Sequence, residues 1–250
     1  FASSCIGETA QLAVNTLPAG DVLLLENTRF HQGEKKNDPE FAAELAKLGD
    51  IFVSDTFSTA HRAHASVEAL ARIMPSCAGR LMEEEISRLE NALSSPKKPV
   101  MAVVGGAKVS SKLLLLENLI SPMDKIVIGG GMANTFLAAK GYNIGQSLCE
   151  HEMQDTARSI MENAKKMNCE IILPIDIVVA KEFAANTNCE TLPADACPAD
   201  SMILDAGSQT IKLIHEHLKH TKTVIWNGPL GAFEVPPFNK ATDAAAKYVA

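Results

Sequence analysis

The sequence predicts an α/β protein with parallel sheets, divided into two domains. Three observations predict it. Four short apolar runs each end in a glycine-rich turn that opens a helix-like segment: VMAVV (Val100 to Val104) before GGAK, KIVIG before GGGMAN, SMILD before DAGSQT, and KTVIW before NGPLG. The first half carries a strand–helix–strand pattern, the mark of a parallel unit. A polar connector bounded by Pro96 and Pro99 follows a long amphipathic helix and marks a domain boundary.

The elements follow in order. Gly7 to Leu17 reads as a helix, ended by Pro18-Ala19-Gly20. Asp21 to Glu26 (DVLLLE) is apolar along its length and predicts a buried strand, as parallel strands are. Asp38 caps a helix that starts at Pro39, and Leu48-Gly49 ends it. Ile51 to Ser54 (IFVS) predicts the second strand of the unit. Leu81 to Leu93 predicts a helix with Met82, Ile86, Leu89 and Leu93 on one stripe. Beyond the connector, strand and helix signals alternate to the end. EIIL (Glu170 to Leu173) and DIVVA (Asp176 to Ala180) add strands, and Asn186 to Ser201 reads as a loop-rich excursion. The domains expected are therefore 1–80 and 96–250, joined by a helix over 81–95.

In an open α/β sheet, turns at the carboxyl ends of the strands line one edge, where ligands bind. Glycine lets backbone N–H groups approach closely, and a helix N-terminus favours an anion. Several such turns on one rim point to a phosphate-rich ligand such as a nucleotide.

Composition narrows the classes. The 250 residues carry a net charge of -7, with 46% hydrophobic and 21% charged residues. That is globular composition, and it gives no bulk electrostatic support for a nucleic-acid partner. No apolar run approaches the roughly 20 residues needed to span a bilayer. Six scattered cysteines without a C-x-x-C pair fit a reduced, cytoplasmic protein. Phe1-Ala2-Ser3-Ser4 is neither an initiator methionine nor a signal peptide, and KATDAAAKYVA stops inside a helical pattern. Both ends read as cut from a longer chain.

GGAKVSSK is the strongest local signal. Lys108 would open the helix after Gly105-Gly106, and Lys112, four residues on, would share its face. Two cations beside a helix N-terminus suit a polyphosphate, although the same pair could be solvated lysines. The Walker A spacing is absent. Gly129-Gly130-Gly131 does not fit a dinucleotide fingerprint, and serves either close packing or close ligand approach. After Trp226, the loop Asn227-Gly228-Pro229-Leu230-Gly231 leads to Glu234, a carboxylate able to accept from ribose hydroxyls or simply a surface acid. Arg29 and Arg62 each follow a strand, and the planar guanidinium fork suits carboxylate or phosphate. His61 and His64 flank Arg62, but no acidic or cysteine partner has metal-ligand spacing, so no metal site is expected. His215, His217 and His220 read as a solvated helix face.

Taken together, LLLENTRFH, SDTFSTAHRAHAS, GGAKVSSKL, IGGGMANTFL, LPIDIVVA, ILDAGSQT and WNGPLGAFE closely resemble the phosphoglycerate kinase family, in the family's order and over nearly the whole chain. The resemblance implies two Rossmann-like three-layer domains that close about a hinge. The amino-terminal one would bind the phosphoglycerate and the carboxyl-terminal one the nucleotide with Mg2+. It implies a glycolytic kinase, cytoplasmic and monomeric, that transfers a phosphoryl group reversibly from 1,3-bisphosphoglycerate to ADP, giving 3-phosphoglycerate and ATP. It makes Arg29 and Arg62 substrate ligands, Lys112 a nucleotide-phosphate ligand, and Lys108 the catalytic cation beside the transferred group. Gly106, Ala107, Gly130, Gly207, Asn227, Gly228 and Leu230 become nucleotide-pocket walls, and Glu234 a ribose ligand.

The chain also departs from the family. The D-x-N-x-P strand, the G-R-P loop with its arginine, and the final G-G-G-D-[ST] segment with its metal-binding aspartate do not occur. Ser58 stands where glycine is common, and Ser111 where some members have aspartate. These absences imply poor turnover by this piece alone. A nucleotide-binding pair of domains without kinase chemistry, or a fragment that folds poorly, are the competing expectations.

Overall fold

The computed structural model describes residues 1–250. The chain forms two compact units, Phe1–Asn91 and Ala92–Ala250. None of its helices is long and apolar enough to cross a membrane.

The first unit holds α1 (Gly7–Asn15), α2 (Gln32–Lys35), α3 (Pro39–Ala46), α4 (Leu70–Ile73) and most of α5 (Arg80–Ser94). Its only paired strands are β1 (Phe52–Ser54) and β2 (Ser76–Ala78), which run parallel. Cys5, Phe41, Ala42, Ala65, Ala69 and Leu70 form its core. α3 starts as its sequence dictates. Pro39 takes the first turn, and the Asp38 carboxylate accepts from the Glu40 N–H at 2.8 Å and the Phe41 N–H at 3.4 Å.

Two expectations fail in this unit. DVLLLE is not a buried strand: Val22 is 92% exposed and Leu24 69%, and the segment's only sheet contact is an isolated bridge from Leu25 to Ala2. A strand needs a partner along its length, and the described chain offers this one only Ala2. The parallel partner of IFVS is therefore Ser76–Ala78, which is too short and too polar to announce itself as a strand. On α5, Met82 is buried, whereas Ile86, Leu89 and Leu93 remain exposed.

The second unit is a three-layer sandwich. β3 (Val100–Gly105), β4 (Lys125–Gly129), β5 (Glu170–Ile172) and β9 (Thr223–Asn227) form an all-parallel sheet in the order β5-β4-β3-β9. Strand alternation splits the core into two layers. Val100, Ala102 and Val104 point to one side, in a cluster that includes Leu116 of α6 (Leu113–Ile120), Phe136 of α7 (Gly130–Ala139) and Ile160 of α8 (Gln154–Lys166). Met101 and Val103 point to the other, in a cluster with Ile214 of α9 (Ser208–Lys219) and Ala241 and Ala245 of α10 (Lys240–Val249). Every residue of β3 is buried, which is what a central strand covered on both faces requires.

A second, antiparallel sheet corrects the reading of SMILD and of 186–201. β6 (Asp176–Ala180) pairs antiparallel with both β7 (Cys189–Pro193) and β8 (Met202–Ala206). The SMILD run thus belongs to a different sheet from the other three. A five-residue apolar run looks the same in either sheet, and only the connection sets its direction. β7 is an edge strand with mostly exposed residues, so it shows no apolar signal.

Carboxylates distant in sequence seal several helix starts. Glu34 accepts from the Ser66 N–H at 3.0 Å where the π-helical turn Ala65–Ala69 begins, and Asp55 from the Met82 N–H of α5 at 2.9 Å. Glu150 accepts from the Ser110 N–H at 2.9 Å ahead of α6. Asp176 accepts from the Gln209 and Thr210 N–H groups of α9 at 2.9 and 2.7 Å. Asp205 accepts from the Ala241 N–H of α10 at 3.0 Å. Each satisfies orphan amides and complements the helix dipole.

Candidate functional site

The carboxyl ends of β3, β4 and β9 bring three glycine-rich turns into mutual contact. A Cβ on Gly105 would stand 1.7 Å from the Pro229 carbonyl oxygen, so only glycine lets the first and third turns touch. Gly130 adopts φ +65°, and a Cβ there would stand 2.8 Å from the Gly106 oxygen. The Gly130 N–H donates to the Leu230 carbonyl and the Met132 N–H to the Gly106 carbonyl, both at 2.8 Å. These first amides of α7 are consumed in stitching the turns together. Triple glycine here serves close packing, and the α7 N-terminus offers no free row of N–H donors to an anion. Gly130→Ala is expected to cost about 2 kcal/mol through the positive φ and the carbonyl contact. Urea unfolding checks this, and an unchanged midpoint would show that the turn relaxes around the methyl.

The two lysines do not share a helix face. Residues 106–109 are irregular, a 3-10 turn spans Ser110–Lys112, and α6 begins only at Leu113. Glu150 holds both the N–H and the hydroxyl of Ser110, which delays the helix past Lys108. Burial pulls the Glu150 carboxyl upward, but the Ser110 and Val109 donors outweigh it and hold it below the usual range. Lys108 is exposed. Lys112 turns back across the sheet end. Its Nζ donates to the Gly105 carbonyl at 2.6 Å, to the Asn227 carbonyl at 3.1 Å, and to Asn227 Oδ1. Burial lowers its pKa from the usual lysine value.

Beside the turns lies a cavity of about 400 Å³. Of the residues predicted for a nucleotide, Gly106, Ala107, Gly130, Leu230 and Glu234 line it. Lys108, Lys112, Asn227 and Gly228 do not; the Lys112 ammonium lies on the Asn227 oxygens, and a Cβ on Gly228 would stand 3.1 Å from it. Gly207 caps α9 away from the cavity, against the Asp176 carboxylate: a Cβ there would meet Oδ2 at 2.2 Å.

Sequence reasoning missed Asn134, Leu148, Phe183, Met202, Asp205 and Phe233 on the cavity wall. The SMILD run held two of them, but the glycine after it drew the attention. Phe183 and Leu148 sit in loops with no local signal. Asp205 is 3% exposed, and burial pushes its carboxyl up to about 7, against the backbone donors of Ala241, Ala206 and Lys240.

In the first unit, Arg29 lies on a 3-10 turn and Arg62 just after another. Both guanidinium-bearing residues are exposed, and neither is in a salt bridge within the protein. Arg29 follows an extended segment, not the predicted strand. His64 Nδ1 lies 3.7 Å from Glu34. On α9 the histidines are not uniformly solvated. His217 is partly buried with its Nδ1 2.7 Å from Lys125 Nζ, and burial and then Lys125 lower its pKa; His215 stacks on Tyr248. No group of three or more His, Cys, Asp or Glu residues is arranged to hold a metal ion.

The sequence model of the phosphoglycerate kinase family matches residues 1–250. The chain belongs to that family. It is 58% identical over its full length to the phosphoglycerate kinase of Ruegeria sp. and 60% identical to that of Cereibacter sphaeroides, and it spans 63% of the length of each. The solved phosphoglycerate kinase of Pyrococcus horikoshii superposes over all of the chain with a TM-score of 0.85 at 30% identity, using 65% of that protein. That of Coxiella burnetii covers 92% of the chain with a TM-score of 0.76 at 44% identity, using 59% of its own length. The parallel α/β architecture expected from the sequence is that of the family. Within a phosphoglycerate kinase, the glycine turns and their lysines then call for a reading in terms of phosphoryl transfer.

Proposed function

We propose that this chain takes part in reversible phosphoryl transfer from 1,3-bisphosphoglycerate to ADP, giving 3-phosphoglycerate and ATP. One observation carries the reading: a largely apolar cavity opens beside a sheet rim where Lys112 is held and Lys108 is free. A base and ribose suit the cavity, with Glu234 accepting from the sugar hydroxyls. Phosphates suit the lysine side. Phosphoryl transfer asks the protein for positioning and charge neutralisation more than for covalent groups. Lys108, exposed and unpaired, is the proposed catalytic cation. Lys112 is the proposed phosphate ligand, and to reach an oxygen of the nucleotide it exchanges the Gly105 and Asn227 carbonyls for it. Gly106, Ala107, Gly130, Asn227, Gly228 and Leu230 shape the path of the nucleotide, and Gly207 acts only through α9.

Arg29 and Arg62 are the proposed ligands of the phosphoglycerate. Within this proposal, 1–80 is the phosphoglycerate part, 81–95 the joining helix and 96–250 the nucleotide part. The protein acts as a cytoplasmic monomer. Mg2+ would arrive with the nucleotide phosphates, because the residues of this chain make no metal centre of their own.

Calorimetry with Mg-ADP tests the assignment. Lys112→Ala is expected to weaken binding by about 1–3 kcal/mol, the worth of a charged hydrogen bond. Arg62→Ala should leave ADP binding as it was and impair binding of 3-phosphoglycerate. Unchanged ADP affinity in a folded Lys112→Ala protein would remove Lys112 from the site.

A further inference from the structure

The segment that carries Lys108 and Lys112 is tied at two points, and both ties lead to α7. At its start, the Gly106 carbonyl accepts from the Met132 N–H at 2.8 Å. Further along, the tie runs through Glu150, a buried carboxylate 40 residues from Ser110. Glu150 Oε2 accepts from the Ser110 N–H at 2.9 Å, and Oε1 from the Ser110 hydroxyl at 2.5 Å. The Glu150 N–H in turn donates to Thr135 Oγ1 at 3.1 Å, and Thr135 is fully buried on α7.

The lysine turn cannot hold itself. Ser110–Lys112 is a single 3-10 turn, closed by the Lys112 N–H on the Val109 carbonyl at 2.9 Å and by the Ser111 hydroxyl on the Lys108 carbonyl at 2.8 Å. One such turn fixes several dihedrals for very few hydrogen bonds, so it needs an anchor outside itself. Buried Val109 is the apolar anchor and Glu150 the polar one. The local bonds set where the lysines lie relative to Ser110. Glu150 sets where Ser110 lies relative to the glycine rim. Glu150 is not on the cavity wall, so any effect it has on a ligand there must pass through the turn.

We propose that Glu150 is the positioning residue for both lysines, fixing their turn against α7 so that the two ammoniums meet the phosphates of the nucleotide. This rests on the phosphate role proposed above for Lys108 and Lys112 and adds what holds them in place. Charge alone predicts the opposite behaviour. A carboxylate near an anion site repels the anion, so its removal would tighten phosphate binding if charge were all that mattered. Positioning makes its removal weaken phosphate binding, because a charged hydrogen bond depends on its geometry.

NMR titration of the 250-residue chain with Mg-ADP and with adenosine, which has no phosphates, separates the two and reads weak binding as well as strong. Glu150→Ala should weaken ADP by roughly tenfold, the worth of a charged hydrogen bond out of place, and leave adenosine as it was. Glu150→Gln should regain most of that loss, because its oxygen still accepts from the Ser110 N–H and its amide can donate to the Ser110 oxygen. Ser110→Ala, which withdraws only the hydroxyl contact, should give a smaller loss for ADP alone and serves if the Glu150→Ala protein does not fold. Unchanged or tighter ADP binding in these variants would overturn the proposal and leave the nucleotide reading standing. So would variants that weaken ADP and adenosine equally, the mark of a purely structural residue. If the unaltered chain binds no ADP, the nucleotide reading falls and this proposal falls with it.

Discussion

Replacing Asp176 by alanine is expected to destabilise the protein by about 3–5 kcal/mol. The carboxylate is buried at the start of β6 and holds the start of α9. It accepts from the Gln209 N–H at 2.9 Å, the Thr210 N–H at 2.7 Å and the Thr210 hydroxyl at 2.6 Å. The threonine oxygen in turn accepts from the Ile175 N–H at 3.0 Å. Removing the carboxylate strands the buried Thr210 amide and hydroxyl and leaves the part-buried Gln209 amide to water. Alanine also deprives the helix dipole of its compensating charge. Asp176→Asn should cost less, because one acceptor survives. Urea denaturation decides the matter, and a loss below about 1 kcal/mol for the alanine variant would mean that the network re-forms around the gap.

Asp205 should cost the protein stability as pH rises from about 4 to about 7. Burial raises its carboxyl from the ordinary 3.8 to about 7 in the folded state. The folded protein therefore keeps a proton that the unfolded chain has released across that window. The contribution is fully present below the unfolded value and is lost as pH climbs through the folded one. At about 1.4 kcal/mol per unit of pKa, the whole effect is on the order of 4 kcal/mol. Asp205→Asn cannot titrate, so the difference in stability between it and the parent should change steeply between pH 4 and 7 and level off above. Parallel profiles for the two proteins would show that Asp205 ionises normally in the fold.

Much of this architecture is legible in local pattern. VMAVV, KIVIG and KTVIW announce adjacent strands of one parallel sheet, and Asp38-Pro39 announces a helix start. The glycines announce the rim, because close backbone contact leaves a local mark. What stays hidden depends on partners remote in sequence. DVLLLE has the composition of a buried strand, yet only Ala2 bridges to it. SMILD cannot reveal that its neighbour runs the other way. Lys108 looks like a helix opener until Glu150, forty residues on, pins Ser110 and moves the start of α6 to Leu113. Asn134 looks like any polar residue in a helix, and its place on the wall is visible only once the cavity exists. The site is therefore legible in its turns and hidden in its walls.

The remote caps also bear on the order of synthesis. Glu34, Asp55, Asp176 and Asp205 all precede the helix starts they seal, by 32, 27, 33 and 36 residues. As a ribosome extends the chain, each of those helices emerges when its acceptor already exists. Glu150 is the reverse case, coming 40 residues after Ser110. The segment bearing Lys108 and Lys112 must wait, its leading amides open to water, until the stretch beyond α7 has been made. The turn that carries Lys108 and Lys112 is thus sealed by an acceptor made after it, unlike the four helices that find theirs waiting.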